Sequence, residues 1–321
     1  MCKKEYSVKK VNYPQYYIFS CYFCGKICKM FRIVLILAFF FALPSMSNAQ
    51  RKRALMVGIS NYHSNGYKVW NNIHGAEDVM LLQPQLEKKG FIVNSLTNEA
   101  ATYQGIISKL SAFIASSQKG DIVYLHFSCH GQPVEDGLKG DQLDEADDWD
   151  EAIVPIDAGK EYSPTGYKGE KHIIDDELNK YIVSLRKKIG PTGILYLAMD
   201  ACHAGTMSRK GIETIRGTNE GLTKTGTKYN PPKSNVRHFT IPKSADMSPA
   251  LLLEACQSHE RNTEIIIKRK EYGALSYNIW QALQNMSSFD RNTKETFKNG
   301  VKNSTKVAGR WPRTQTLVRE E

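Results

Sequence analysis

Cysteine is scarce: the 321 residues hold seven, and Cys2, Cys21, Cys24 and Cys28 precede the main body, leaving Cys129, Cys202 and Cys256 beyond it. That count excludes a disulfide scaffold. Long hydrophobic runs are missing too. Ile33–Leu43 has eleven residues, where a bilayer core needs about 20. Acids are nearly absent from residues 1–49, which carry seven of the 43 Lys and Arg but only Glu5 of the 33 acids; 36 bases then face 32 acids, a net +4, over residues 50–321. Most of the +10 total therefore belongs to the leader, and with no basic-aromatic module and no internal repeat in the body, no nucleic-acid partner is expected. The remaining composition, 41% hydrophobic and 24% charged, fits one large α/β domain or two small ones.

The leader speaks to compartment. After Met30 come Phe31-Arg32, the apolar run, Pro44 and the small residues Ser47-Asn48-Ala49, the parts of a secretory signal peptide. Cleavage is expected after Ala49, giving a mature chain from Gln50 that is exported to a periplasm or secreted, with no membrane association after cleavage. No cysteine follows the apolar run, so lipoprotein attachment is not indicated. Residues 1–29 read as an extended or non-native leader, with Met30 the favoured start and 30–49 the signal peptide. Cys21-x-x-Cys24-x-x-x-Cys28 has metal or redox spacing, and the competing reading is discarded sequence.

From Gln50, short apolar runs alternate with amphipathic stretches, which predicts an α/β domain whose mostly parallel sheet is flanked by helices. Strands are expected at Arg53–Ser60, Phe91–Leu96, Asp121–Ser128, Gly193–Met199, Leu251–Cys256 and Thr314–Val318. Helices are expected at Gly75–Lys89, Tyr103–Ser117, Asp175–Arg186 and Tyr272–Asn285. Two long irregular stretches, Gln132–Asp150 (acidic) and Thr206–Met247 (rich in Gly, Thr, Lys, Arg and Pro), each follow a strand, where open α/β sheets place their sites.

Chemistry collects at two strand ends. His130-Gly131 follows Ile122–Phe127; a histidine there can act as a base, and a glycine lets backbone approach a ligand. Asp200-Ala-Cys202-His203-Ala-Gly205 follows Ile194–Met199, and a cysteine in that place can be a nucleophile if a base takes its proton. The plainer readings are a satisfied polar histidine and a small buried hydrophobe. His203 is adjacent in sequence, but neighbours on extended backbone point to opposite faces, so His130 is the better base.

These residues carry a resemblance. Ser128-Cys-His-Gly131, Trp149-Asp-Glu-Ala-Ile-Val-Pro-Ile-Asp157, Ile173-Ile-Asp-Asp-Glu177 and Asp200-Ala-Cys-His-Ala-Gly205 occur in the order found in metacaspases. From about Ala54 to the 250–283 region the chain resembles a bacterial metacaspase-like member of the caspase clan. The resemblance implies a caspase-haemoglobinase fold, a single peptidase domain over 50–321 and cysteine endopeptidase chemistry. Cys202 and His130 fall on the dyad, and the Gly131 and Cys202 N–H groups on the oxyanion hole. Cys129 in place of the usual glycine and Ala204 in place of the usual serine remove no catalytic group.

The resemblance also implies substrates with Arg or Lys before the scissile bond, bound by Asp78 and Asp200, since buried carboxylates favour a cation. The alternative for Asp78 is an exposed acid in the first turn of a helix. Residues 135–151 hold nine acids and one base, Lys139. The spacing is not that of an EF-hand, but resemblance to calcium-dependent metacaspases points to Asp150, Asp175 and Asp176 as a calcium site, against a solvated acidic loop. No acid near Arg209 matches a further family ligand. The eight bases of 206–247 suit either a flexible linker or, by likeness to the clan, a loop that the enzyme cuts itself; no site can be chosen among them. Cys256 reads as a core thiol or, by family likeness, as a neighbour of the substrate groove. A catalytically weak caspase-fold module that recruits a partner is the alternative to an enzyme.

Overall fold

Runs of consecutive apolar residues, rather than alternating ones, mark strands covered on both faces. The computed structural model describes residues 50–62, 70–140, 148–202, 213–231, 241–257, 259–312 and 315–320. The leader, the Cys21/Cys24/Cys28 cluster and the expected signal peptide lie outside the described residues, as do His203, Ala204 and Arg209.

The main sheet has six strands: β1 (Lys52–Gly58), β2 (Phe91–Thr97), β3 (Ile122–Ser128), β7 (Ile194–Asp200), β8 (Ala250–Glu254) and β11 (Val318–Glu320), in the order β11-β8-β7-β3-β1-β2. All neighbours are parallel except β11, which pairs antiparallel with β8. A second sheet of β4 (His130–Glu135), β5 (Trp149–Val154) and β6 (Ile173–Ile174) is antiparallel, and β9 (Ile265–Ile267) pairs with β10 (Lys270–Tyr272). Among the described residues five α-helices accompany them: α1 (Gly75–Lys88), α2 (Tyr103–Ala115), α3 (Asp175–Ile189), α4 (Ala274–Gln284) and α5 (Lys294–Thr305).

The period of two along each strand sorts residues to the two sides of the sheet. Leu55, Val57, Val123, Leu125, Phe127, Leu195, Leu197 and Met199 join one core with α2 and α3; Ala54, Met56, Tyr124, Tyr196 and Ala198 join the other with α1, α4 and α5. Tyr196, Phe289 and Phe297 cluster in the second core, with ring centroids 4.5–5.5 Å apart. Helix α3 begins with Asp175, Asp176 and Glu177 and ends with Arg186, Lys187 and Lys188, a charge order that complements its dipole.

The mostly parallel sheet and four of the five helices follow the sequence pattern. Three expectations differ. The acidic stretch 132–150 is not irregular throughout, because β4 and β5 form a hairpin that frames it. Helix α5 and the short strands β9 and β10 were not expected. The last strand begins at Val318 rather than Thr314. Within 206–247, the described part is tied to the body: Leu222 donates its N–H to the Pro133 carbonyl, and its own carbonyl accepts from the Glu135 N–H.

Helix α1 can approach the strand ends only because residues 58 and 75 lack side chains. A Cβ on Gly75 would stand 2.1 Å from the Ser128 carbonyl oxygen, and one on Gly58 would stand 2.2 Å from the Gly75 carbonyl oxygen. Gly75→Ala is therefore expected to destabilise the fold by about 1–3 kcal/mol, as overpacking does. A urea titration reads this as a lower midpoint at unchanged slope; an unchanged midpoint would show that the helix shifts freely.

Candidate active site

The parallel register pairs Ser128 with Asp200, so two adjacent strands end side by side with polar residues facing helices α1 and α4. Two residues further along each chain come His130 and Cys202. Both predicted dyad members are buried, at 2% and 1% exposure. His130 Nε2 lies 2.8 Å from the Asn71 carbonyl oxygen. A carbonyl can only accept, so Nε2 carries the proton in the neutral ring and Nδ1 keeps its lone pair. Nδ1 has no hydrogen-bond partner among the described residues, as a base waiting for a proton requires. Trp70 stacks on the ring at 4.9 Å, and the Tyr62 hydroxyl accepts the His130 N–H at 2.9 Å, fixing its orientation. Burial, only partly offset by the Asn71 carbonyl, pulls the His130 pKa down to about 4, so the imidazole is neutral at physiological pH.

The Cys202 thiol donates to the Glu260 carbonyl at 2.9 Å. Its neighbour is Cys256, whose thiol is pushed well above its ordinary pKa by a hydrogen bond with Cys202 and by burial. Cys256 thus stays protonated, a donor beside the Cys202 sulfur. Cys129, Cys202 and Cys256 are all free thiols, and burial pushes Cys129 up to about 12, which leaves it inert.

Asp78 and Asp200 do share a pocket. Both are fully buried, and so is the cation between them, Arg216. Its Nη1 is 2.8 Å from Asp78 and 3.7 Å from Asp200, and it donates to Ser128 Oγ. Nε and Nη2 face Glu264 at 2.9 and 2.8 Å. Asp78 also accepts from Ser128 Oγ at 2.7 Å and from the Gly273 N–H at 3.0 Å. Asp200 accepts from Asn262 Nδ2 at 2.7 Å, the Ser276 N–H at 2.8 Å and Ser276 Oγ at 2.6 Å. Gly273 and Ser276 belong to the start of α4, so the positive end of that helix faces two carboxylates. A Cβ on Gly273 would stand 2.1 Å from Asp200 Oδ2, so the pocket exists only with glycine there. Sequence reasoning missed Glu264, Ser128 and Gly273 as pocket residues and gave Arg216 no place in particular.

Asp78 and Glu264, on the same guanidinium, are shifted in opposite directions. Burial raises Asp78 to about 7 despite Arg216. Glu264 is also pushed up by burial, but Arg216 and His74 outweigh that and bring it to about 2. The difference is geometric: two guanidinium nitrogens face Glu264, and His74 Nδ1 lies 2.6 Å from its other oxygen, whereas Asp78 shares one nitrogen with Asp200 and Ser128. Burial alone would lower the Arg216 pKa, yet the carboxylates hold it above its usual value.

Of the acids expected to bind calcium, Asp150 and Asp175 are buried and Asp176 is half-buried. The β5–β6 pairing, Ala152 with Ile174, brings the two segments side by side. Their oxygen donors suit a hard cation, although Asp175 and Asp176 also serve the α3 dipole. Among the described residues, the group of three metal-ligating side chains within 4.8 Å of one another is His74, Glu264 and Glu271, which forms the outer wall of the arginine pocket.

A buried thiol and an oriented imidazole with a nitrogen partnerless among the described residues thus stand at the ends of two adjacent parallel strands. Residues 52–209 match the metacaspase, peptidase C14 domain family. Metacaspase-3 of Arabidopsis thaliana is 26% identical over 251 residues, 75% of this chain and 62% of its own length. Metacaspase-2 of the same plant is 30% identical over 49% of this chain and 35% of its own, and metacaspase-1 of Schizosaccharomyces pombe 29% over 50% and 37%. The chain thus spans between about a third and three-fifths of these relatives. A crystal structure of a protein from Geobacter sulfurreducens shares the fold, with a TM-score of 0.55 at 19% identity, covering 84% of this chain and 92% of that one. These matches support a metacaspase-like member of the caspase clan.

The pocket carries a stability signature. An acid whose folded pKa is raised holds its proton more tightly when folded, so Asp78 supports stability at low pH and that support is lost as pH rises from its ordinary 3.8 through about 7. Glu264 has the opposite sign, gaining between about 2 and 4.5. Asp78→Asn is expected to remove the decline between pH 4 and 7. Urea midpoints measured across that range check it, and an equal decline in both proteins would place the proton elsewhere.

Proposed function

We propose that the chain is a cysteine endopeptidase that cleaves peptide bonds after Arg or Lys. One observation supports this most: an arginine side chain fills the carboxylate pocket while its carbonyl oxygen accepts hydrogen bonds from the N–H groups of both Cys202, at 3.0 Å, and Gly131, at 3.4 Å. Side-chain specificity and carbonyl activation thus act on one residue. His130 Nδ1 takes the Cys202 thiol proton, the thiolate attacks the carbonyl carbon, and the two N–H groups hold the oxyanion. The same imidazole then protonates the leaving amine, and water hydrolyses the thioester.

The pocket selects by charge. It presents three carboxylates, and an acidic side chain placed among them would be buried against its own sign, a penalty of several kcal/mol. Arginine is favoured over lysine because its planar fork meets Glu264 and Asp78 at once.

Alanine at Cys202 or His130 is expected to lower hydrolysis of an Arg peptide by about 10²-fold or more. Asp200→Asn should lose cleavage after Arg while Cys202 still reacts with a small alkylating agent. Retained hydrolysis in Cys202→Ala, or equal rates on Asp and Arg peptides, would overturn the reading and favour a binding module.

Calcium belongs to the same proposal. Asp150, Asp175 and Asp176 would hold it, and the ion would relieve their mutual repulsion. Hydrolysis is expected to rise with calcium and to lose that dependence in Asp175→Asn. Full activity in a chelator would rule it out.

A further inference from the structure

We infer that His126 is a positioning residue of the arginine pocket: its Nε2–H holds the Ser276 hydroxyl so that the hydroxyl's own proton points at Asp200, and this sets how strongly the pocket prefers an arginine side chain. This rests on the peptidase reading above and gives its pocket a residue that acts through others.

Packing alone does not call for histidine at 126. Its in-register neighbours are Met56 on β1 and Ala198 on β7, and its side of the sheet carries Ala54, Tyr124 and Tyr196 into the second core. The side chain is fully buried, where an unpaired ring nitrogen is costly. Both nitrogens have partners: Nδ1 lies 3.0 Å from the Tyr124 hydroxyl and Nε2 lies 3.1 Å from Ser276 Oγ. Ser276 Oγ lies in turn 2.6 Å from Asp200 Oδ2.

The Asp200 end fixes the direction of every bond in this chain. A carboxylate can only accept, so the single Ser276 hydroxyl proton goes to Oδ2, and Oγ keeps its lone pairs for His126. Burial pulls the His126 pKa down to about 4, so at physiological pH the ring is neutral with one N–H, and Ser276 draws it to Nε2. Nδ1 then accepts. Its donor is the Tyr124 hydroxyl, which burial and Asp200 keep protonated by pushing its pKa well up. Tyr124 O–H thus serves His126, His126 N–H serves Ser276, and Ser276 O–H serves Asp200.

Ser276 stands in the first turn of α4, three residues after Gly273. A serine hydroxyl in a helix otherwise turns to the carbonyl four residues back. The donor at His126 Nε2 holds Oγ by a lone pair and leaves its proton to the pocket. Asp200 then faces the cation with both oxygens supported, Oδ2 by Ser276 and Oδ1 by Asn262 Nδ2 at 2.7 Å. Without that donor Asp200 loses a charge-assisted bond in a pocket where Asp78 and Asp200 already disfavour each other's charge. A histidine kept only for packing would support the sheet and leave the choice of side chain unchanged.

Selectivity tests this on the full chain, read as the ratio of kcat/KM for a short Arg peptide to that for the same peptide with Gln in its place. The ratio cancels competition from the chain's own Arg216. His126→Leu is expected to lower it about tenfold, the order of one hydrogen bond to a charged group, whereas His126→Gln, which carries an amide N–H where Nε2 lay, keeps most of it. In a Ser276→Ala background His126→Leu should change nothing further, because the hydroxyl it acts through is gone. An apolar residue leaves the Tyr124 hydroxyl unpaired and risks unfolding, so His126→Asn is the second variant: it keeps a partner for Tyr124, is too short to reach Ser276 and is expected to lose the same selectivity. A folded His126→Leu or His126→Asn chain with the wild-type ratio, or a loss just as large in the Ser276→Ala background, overturns this inference and leaves the peptidase reading intact. Failure of both variants to fold does the same, since it makes His126 a packing residue. A folded wild type that hydrolyses neither peptide, or that does not prefer Arg, overturns both.

Discussion

The site depends on a balance of buried charge. Asp78, Asp200 and Glu264 converge with no water-facing surface to speak of, and without compensation their ionised forms would repel one another strongly. One guanidinium, the positive end of helix α4 and the hydroxyls of Ser128 and Ser276 supply that compensation. Removing one partner of such a buried set typically costs about 3–5 kcal/mol. The balance also dictates local sequence: glycine at 273 so that the helix can approach, glycine at 75 so that α1 can carry Asp78 to the strand ends, and serine where β3 meets Asp200 in register.

On the proposed function, this arrangement would link specificity to catalysis mechanically. Strands β3 and β7 are bonded neighbours, and each carries a pocket group on its last paired residue and a dyad group two residues later. Any shift of one strand against the other would misplace both together. Parallel pairing of two strands buried on both faces makes such a shift costly, so the chemistry stands on the least deformable part of the fold.

Much of this was legible in the sequence. Unbroken apolar runs marked β1, β3 and β7 because both of their faces are covered, and the polar residues ending those runs drew attention to His130 and Cys202. Asp78 and Asp200 emerged through resemblance, since a first-turn acid and a strand-end acid look ordinary alone. Glu264 had no local signal: it lies ten residues beyond β8, and only the fold brings it under Arg216. Nor did Arg216 stand out, because one base among eight in a polar segment cannot be singled out without knowing which reaches the carboxylates. The orienting carbonyl of Asn71 was invisible for a different reason, as any residue type supplies a backbone oxygen. Helix α5 was missed because its polar face dominates, with Phe297, Val301 and Ser304 its buried residues.

The occupied groove changes what affinity means for this molecule. Thirteen residues separate Cys202 from Arg216, and a ligand joined by so short a tether behaves as though present at about millimolar concentration. A free peptide at micromolar levels competes poorly against that, however well it fits.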